Sequence, residues 1–299
     1  MGDIYVIGHK NPDTDSICSA IAYAYFKGED VVAARCGEIN AETSYVLEYF
    51  DLDPPILLSD GSGKRFILVD HNELSQSVDN MDQAEILEVI DHHKINFSCS
   101  SPITFHTEPV GSTATMIAER YIGKIKRKIA GILLSAILSD TIVLTSTTTT
   151  ERDFEMVKKL APIAGIEDIK MFGMEIKRKK SSLKGLTASK IILSDFKDFE
   201  FGEDKVGIGQ IEVVDFKESE ERMDELIQEL EKLKDENDYS LLSLMVTNIV
   251  ERASKLFVVG DRSKAEEAFK KPVKDNSLYL DGAMSRKKDV VPFIERVFR

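Results

Sequence analysis

Short apolar runs alternate with helix-like segments through the first half of the chain. "DIYVIG" precedes "SICSAIAYAYF" and "VVAAR" precedes "AETSYVLEYF", ahead of two further runs, "RFILVD" and "ILEVID". Continuous aliphatic runs bounded by polar breaks predict strands buried on both faces, whereas the spaced apolar positions between them predict helices. The alternation therefore predicts βα units on a parallel sheet with helices on both faces. Ligands of such sheets bind beyond the carboxyl ends of the strands. The later segments "STATMIAERYIG", "KIAGILLSAILSD", "ERDFEMVKKLAPIAG" and "IEDIKMFGMEIKRK" are helix-like and are expected to pack on that sheet, with Gly165 as a helix stop.

The stretch "KRKKSSLKG", Lys177 to Gly185, is basic and loses the hydrophobic period, so a linker is expected there. Beyond it "KIILSDFKDFEF", "VGIGQIEVVDF", a charged helix from about Glu218 to Asp235, "YSLLSLMVTNIV", "KLFVVG" and a last helix near Pro292 to Val297 predict a smaller α/β domain. The organisation expected is an N-terminal domain over 1–184 and a C-terminal domain over 185–299. The active site is expected in the cleft between them.

Composition narrows the choice of partner. At 299 residues and 42% hydrophobic content the chain is long enough for two cores. Its net charge of -13, from 39 basic and 52 acidic residues, argues against a protein that tracks nucleic acid, since Lys and Arg supply most of that affinity. The three cysteines, Cys18, Cys36 and Cys99, form no CxxC pair, which excludes a thiolate zinc site of that type and points to a reduced, cytoplasmic setting. The most apolar run, Ile129 to Leu138, is too short to span a bilayer, so a soluble protein without membrane contact is expected.

Polar residues collect where the apolar runs end. His9, Asp13 and Asp15 follow the first run, Asp70 and His71 end "RFILVD", Asp91, His92 and His93 end "ILEVID", and Asp140 ends "ILLSAILSD". Any one aspartate there is explained by a helix cap. The set is not, because four of the chain's five histidines share the placement. Two unit charges near 4 Å repel by about 4 kcal/mol at an effective dielectric of 20, so clustered aspartates need a cation. Imidazole and carboxylate without thiolate suit Mn, Co, Fe or Zn better than Mg. A water shared by two such ions would be acidified to a nucleophile at neutral pH. In the second domain "SRKK", Ser285 to Lys288, and Lys197 in "DFKDF" offer cations to a phosphate, although an isolated basic turn is more often simply solvated.

The set "GHKNPDTDS", "LVDHNE", "IDHH", "GSTAT", "LLSAILSDT" and "SRKK" resembles the family II inorganic pyrophosphatases, the manganese- or cobalt-dependent branch of the DHH phosphoesterases, with the motifs in order over essentially the whole chain. The resemblance implies about two Mn (or Co) ions per chain, one held by His9, Asp13 and Asp70 and the other by Asp15, Asp70, His92 and Asp140. It places Asp13, Asp70 and His93 in catalysis, with His93 facing the substrate. It gives phosphate binding to Lys197, Arg286 and Lys287 with His93. Lys190 in "TASKII" is the competitor to Lys197. Asp91 and His71 are read as orienting groups, and His106 as structural. Gly111, Ser112 and Thr113 are read either as anion-facing backbone or as an ordinary helix cap. The resemblance further implies additional Mg arriving on the substrate and a homodimer.

The expected function is hydrolysis of pyrophosphate to two orthophosphates by a hydroxide bridging two metals. The alternatives are a phosphodiesterase of the same superfamily, acting on short oligonucleotides or cyclic dinucleotides, and a noncatalytic metal or phosphate sensor. The absence of histidine after Gly185 counts against the phosphodiesterase.

Overall fold

The computed structural model describes residues 4–299. The chain divides into two compact units, Met1–Lys180 and Ser181–Arg299.

In the first unit the elements run β1 (Ile4–Ile7), α1 (Thr14–Lys27), β2 (Val31–Arg35), α2 (Ala41–Tyr49), β3 (Ile56–Leu57), β4 (Arg65–Val69), β5 (Glu85–Asp91) and β6 (Thr104–Thr107). Four helices follow: α3 (Thr113–Tyr121), α4 (Arg127–Asp140), α5 (Glu151–Ala164) and α6 (Ile169–Ser181). The strands form one sheet in the order β3-β2-β1-β4-β5-β6, and every neighbouring pair is parallel. The chain builds outward from β1 to one edge, then returns to β4 and builds toward the other. The reversal lies between β1 and β4, whose following connections run to opposite sides of the sheet, the position at which doubly wound sheets bind ligands.

Strand pleating sends alternate residues into two cores. Val6, Ile67, Val69 and Ile90 join a large core with residues of α1 to α6, while Ile7, Phe66, Leu68 and Val89 join a small one with Val78 and Met81. The expected helices on both faces are realised unevenly. The α-helices pack on the first face, and the second is covered by loops and two short 3₁₀ turns, Leu74–Gln76 and Met81–Gln83. The β4 to β5 crossover is built from these two 3₁₀ turns instead of an α-helix.

The basic stretch read as a linker is in part the last turn of α6. Lys177 is buried there, its Nζ 3.2 Å from Glu42 Oε1 and donating to Ser139 Oγ at 3.0 Å. A buried partner, which charge patterning cannot reveal, keeps this turn helical. Among the described residues no helix is long and apolar enough to cross a membrane.

The second unit contains α7 (Ala188–Leu193), β7 (Phe196–Phe201), β8 (Asp204–Val213), α8 (Lys217–Glu221), α9 (Met223–Glu236), β9 (Leu241–Asn248), β10 (Ala253–Gly260), α10 (Arg262–Phe269), β11 (Ser277–Asp281) and α11 (Val291–Phe298). Its sheet has the order β11-β10-β9-β8-β7, with only β8 and β9 parallel. β9 is buried along its whole length between two apolar clusters.

Candidate metal centre

Three central strands deliver polar residues to the same end of the sheet. β1 leads into Gly8 and His9, β4 into Asp70, and β5 ends at Asp91 before His92 and His93. Asp70 sits in the left-handed region at φ 60°, which Asp tolerates better than most residues, and this turn lets its carboxylate point back toward His9 and His92. At Gly8 an added Cβ would lie 1.8 Å from Ser16 Oγ, so the first turn of α1 reaches the end of β1 only because position 8 lacks a side chain.

Asp13 is indeed a helix cap: its Oδ1 accepts from Ser16 N at 3.0 Å. That oxygen also lies 3.7 Å from His9 Nε2, and capping leaves Oδ2 free, so the two roles are compatible. Asp15, two residues on in the first turn of α1, is fully buried. Its Oδ1 accepts from Ser19 Oγ at 2.9 Å and Ala114 N at 3.0 Å, and its Oδ2 from Thr113 N at 2.6 Å. The cap reading of Gly111 to Thr113 holds: Ser112 caps α3, and the N–H groups of Thr113 and Ala114 are taken up by the carboxyl group of Asp15. Asp153, from α5, fixes this loop by accepting from Gly111 N at 2.9 Å and Thr115 Oγ1 at 2.6 Å.

Three groups of potential ligands share Asp70: His9, Asp13 and Asp70; Asp15, Asp70, His92 and Asp140; and Asp70, His92 and His93, the last overlapping the second. His9 Nε2 lies 3.5 Å from Asp70 Oδ2, while His92 Nε2 lies 3.4 Å from Asp70 Oδ1 and 3.5 Å from Asp140 Oδ2. These separations are long for direct hydrogen bonds. They suit atoms sharing an ion, because two ligands each about 2.1 Å from a metal lie roughly 3 to 3.5 Å apart. Asp70 Oδ2 and His92 Nε2 are buried and make no hydrogen bond. Orphaned polar atoms, one beside His9 and the other beside Asp140, in a donor set of carboxylates and imidazoles, fit divalent ions.

The electrostatics carry the same message. Burial, and next the charge of Asp70, push the Asp15 carboxyl up to about 8, and burial followed by Asp15, Asp13 and Asp70 pushes Asp140 well above its ordinary range. Burial would lower both imidazoles, but the neighbouring carboxylates outweigh it and raise His9 to about 10 and His92 to about 10. Asp70 is held ionised below the usual carboxylate range, because His9 and His92 overcome the cost of its burial. Without metal the cluster thus retains protons in the places a cation would take.

Neighbouring groups aim these side chains. His92 Nδ1 donates to Val110 O at 2.9 Å, which turns Nε2 toward Asp70 and Asp140. Asp91 Oδ1 accepts from the backbone N of His92 and of His93 at 2.8 and 3.1 Å, and from His93 Nδ1 at 2.9 Å. Its Oδ2 accepts from Asn72 Nδ2 at 2.6 Å, and Asn72 ties down the same loop through Lys94 O and Asn96 N. His71 points elsewhere, donating from Nδ1 to Val69 O at 3.0 Å and meeting Ser77 Oγ from Nε2 at 2.6 Å. His106 pairs with Glu108 at 2.6 Å, outside all three groups. Replacing Asp91 by alanine is expected to lower kcat/KM about 10- to 100-fold, the range typical for groups that orient ligands. Steady-state kinetics beside metal analysis of the variant checks this.

A cavity of about 340 Å³ opens beside the centre, lined by His9, Asp70, His93, Asn72, Gln76 and Lys94 among others. In the second unit Lys197 on β7 is exposed, as are Lys287 and, on α7, Lys190. Arg286 is buried, and its guanidinium is occupied by Asp195 and by Ile208 O. Sequence reasoning missed Asn72, Asp153 and Asp195. "LVDHNE" contains Asn72 but does not disclose its partners, and the Thr-x-x-Asp spacing of Thr150 and Asp153 announces a capping box rather than a link to Gly111.

The "DHH family, N-terminal domain" model matches residues 3–137 and the "DHHA2 domain" model residues 174–297. The chain is thus a DHH–DHHA2 protein with a carboxylate–imidazole cluster that could hold metal at the reversal point of its larger sheet. A manganese-dependent inorganic pyrophosphatase of Methanocaldococcus jannaschii is 48% identical, covering 98% of this chain and 99% of its own length, and that of Bacillus subtilis is 40% identical over 98% of each. The chain belongs to the family II, manganese-dependent inorganic pyrophosphatases. A Methanococcus jannaschii crystal structure named as a family II inorganic pyrophosphatase superposes with a TM-score of 0.65 at 46% identity, covering 99% of both chains. An exopolyphosphatase-related protein of Bacteroides fragilis shares the fold, with a TM-score of 0.52 at 17% identity over 99% of this chain and 91% of its own.

Proposed function

We propose that the protein hydrolyses inorganic pyrophosphate to two orthophosphates with about two manganese ions per chain. The observation that carries this reading is the set of ligand groups joined through Asp70, in a chain aligned end to end with relatives named for that activity. His9, Asp13 and Asp70 would hold one ion, and Asp15, Asp70, His92 and Asp140 the other. When bound, such ions acidify a water to serve as nucleophile and draw charge from phosphoryl oxygens. Cobalt would serve in place of manganese, and magnesium would accompany the substrate.

The chain's own side chains have separable tasks. Asp13 and Asp70 are the catalytic carboxylates, because they would hold the ions that supply the nucleophile. His93 holds a proton for the leaving phosphate: its Nδ1 is tied to Asp91, the ring is half exposed toward the cavity, and the Asp91 hydrogen bond raises its pKa against the effect of burial. Lys197, Arg286 and Lys287 bind and neutralise substrate phosphate. Lys197 is preferred to Lys190 because it follows Asp195, which is already bound to Arg286. The full-length alignment with pyrophosphatases does not favour a phosphodiesterase or a sensor. The free cysteines are consistent with a cytoplasmic protein, and a homodimer follows from the resemblance.

Purified protein supplied with Mn and Mg is expected to release phosphate from pyrophosphate, and an Asp70→Ala variant is not. Equal release by the two proteins, or faster turnover of a dinucleotide than of pyrophosphate, rejects the assignment. Tight pyrophosphate binding without product supports the sensor instead.

A further inference from the structure

Arg286 is only 6% exposed, an unusual state for a residue expected to meet an anion. Its bonds resolve the conflict. Nη1 donates to two carbonyls, Asp195 O and Ile208 O at 2.5 and 2.9 Å, and Nη2 donates to Asp195 Oδ1 at 2.7 Å. Of the five guanidinium N–H groups, three are consumed, which leaves the one on Nε and one on Nη2. Those two can point in parallel and form a fork that spans two phosphate oxygens.

The same strand end also sets the backbone around Arg286. Asp195 precedes β7, and its carbonyl accepts Gln210 N at 2.8 Å, so β8 is registered against it. The Gln210 side chain then grips the Arg286 loop from both sides, donating to Met284 O at 3.1 Å and accepting Arg286 N at 3.2 Å. Asp289 Oδ2 accepts Met284 N at 2.9 Å and Ser285 N at 2.8 Å, closing the turn ahead of a π-helical turn over Arg286–Val290.

We propose that Asp195 is a positioning residue for pyrophosphate hydrolysis: it clamps one end of the Arg286 guanidinium so that only the Nε/Nη2 fork remains for a substrate phosphate. The inference rests on the reading of Arg286 as a phosphate ligand. The Asp195 carboxylate itself is 58% exposed and is therefore free to let the fork's anion approach without being buried beside it. A preoriented fork spares the rotamer entropy that a free arginine loses on binding. Lys197 lies two residues along the strand from Asp195, whose carbonyl and carboxylate both hold Arg286.

The test is a double-mutant cycle on the full-length, Mn-loaded protein with magnesium pyrophosphate as substrate, using Asp195→Ala, Arg286→Ala and both together. If Asp195 acts through Arg286, Asp195→Ala raises KM about tenfold or more with kcat changed far less, and the double variant is no worse than Arg286→Ala alone. Asp195→Asn keeps an acceptor oxygen and recovers part of the loss. It stands in for the alanine variant should that fail to fold. A wild-type or lower KM in Asp195→Ala, or effects of the two alanines that multiply, overturns the proposal. Failure of the underlying reading looks different: Arg286→Ala itself then keeps the wild-type KM.

Discussion

Exchange of Asp70 for asparagine is expected to cost at least about a thousandfold in kcat/KM and to strip the protein of most of its metal. Asp70 alone belongs to every ligand group, with Oδ2 near His9 and Oδ1 near His92. Its removal therefore loosens both ions, and several kcal/mol of electrostatic stabilisation translate to that rate at 1.36 kcal/mol per factor of ten. Asparagine is the sharper probe than alanine, because the position has φ 60° and Asn accepts the left-handed region, so the backbone is preserved. Asp13→Asn touches one group only and is expected to retain the ion held by Asp15, Asp70, His92 and Asp140. Elemental analysis after gel filtration separates the two variants. Full metal content with more than a tenth of the activity in Asp70→Asn would contradict the shared-ligand arrangement.

The second large effect is on stability. Chelated protein is expected to melt at lower temperature as pH rises from about 5 to 9, and manganese is expected to abolish or reverse that trend. Asp15 near 8, and His9 and His92 near 10, lie above their ordinary values of 3.8 and 6.5. Folded, metal-free protein therefore binds protons that the unfolded chain releases, and stability falls through the windows 3.8 to 8 and 6.5 to 10. His71 opposes this, since burial lowers its pKa, but it is one group against five, because Asp140 and His93 are raised as well. The depressed Asp70 and Asp91 add stability that is lost only in acid, below this range. An ion must displace the extra protons, so metal affinity rises with pH. One ion in each of the two proposed sites, at a hundred times its dissociation constant, adds about 2.7 kcal/mol per site, which is a rise of about 10 °C or more. Differential scanning fluorimetry from pH 5 to 9 with chelator or with manganese reads both slopes. A flat chelated series with no manganese shift would remove the case for a built metal centre.

How much of this was legible in the sequence varied with the reach of each interaction. His9, Asp13 and Asp15 fall within one strand-turn-helix segment, and Asp70, His92 and Asp140 each close an apolar run, so local pattern alone drew attention to them. Asp153 could not be read in the same way, since its contacts with Gly111 and Thr115 cross a long separation in the chain. Lys177 misled: four consecutive positive charges suggested a linker, yet its ammonium is buried against Glu42. Arg286 was identified as a cation, but which of its N–H groups are already consumed depends on Asp195 and Ile208.

The sequence by itself determined the βα alternation, the change of character near Lys177 and the residue types that bind a divalent ion, because period, polarity and ligand chemistry are properties of short segments. Only the tertiary structure decided the strand order and, with it, that β1 and β4 lie side by side with Asp70 turned between His9 and His92. The physical reason is that parallel pairing and the convergence of carboxylates are long-range: each depends on hydrogen bonds and buried faces contributed by segments distant in the chain.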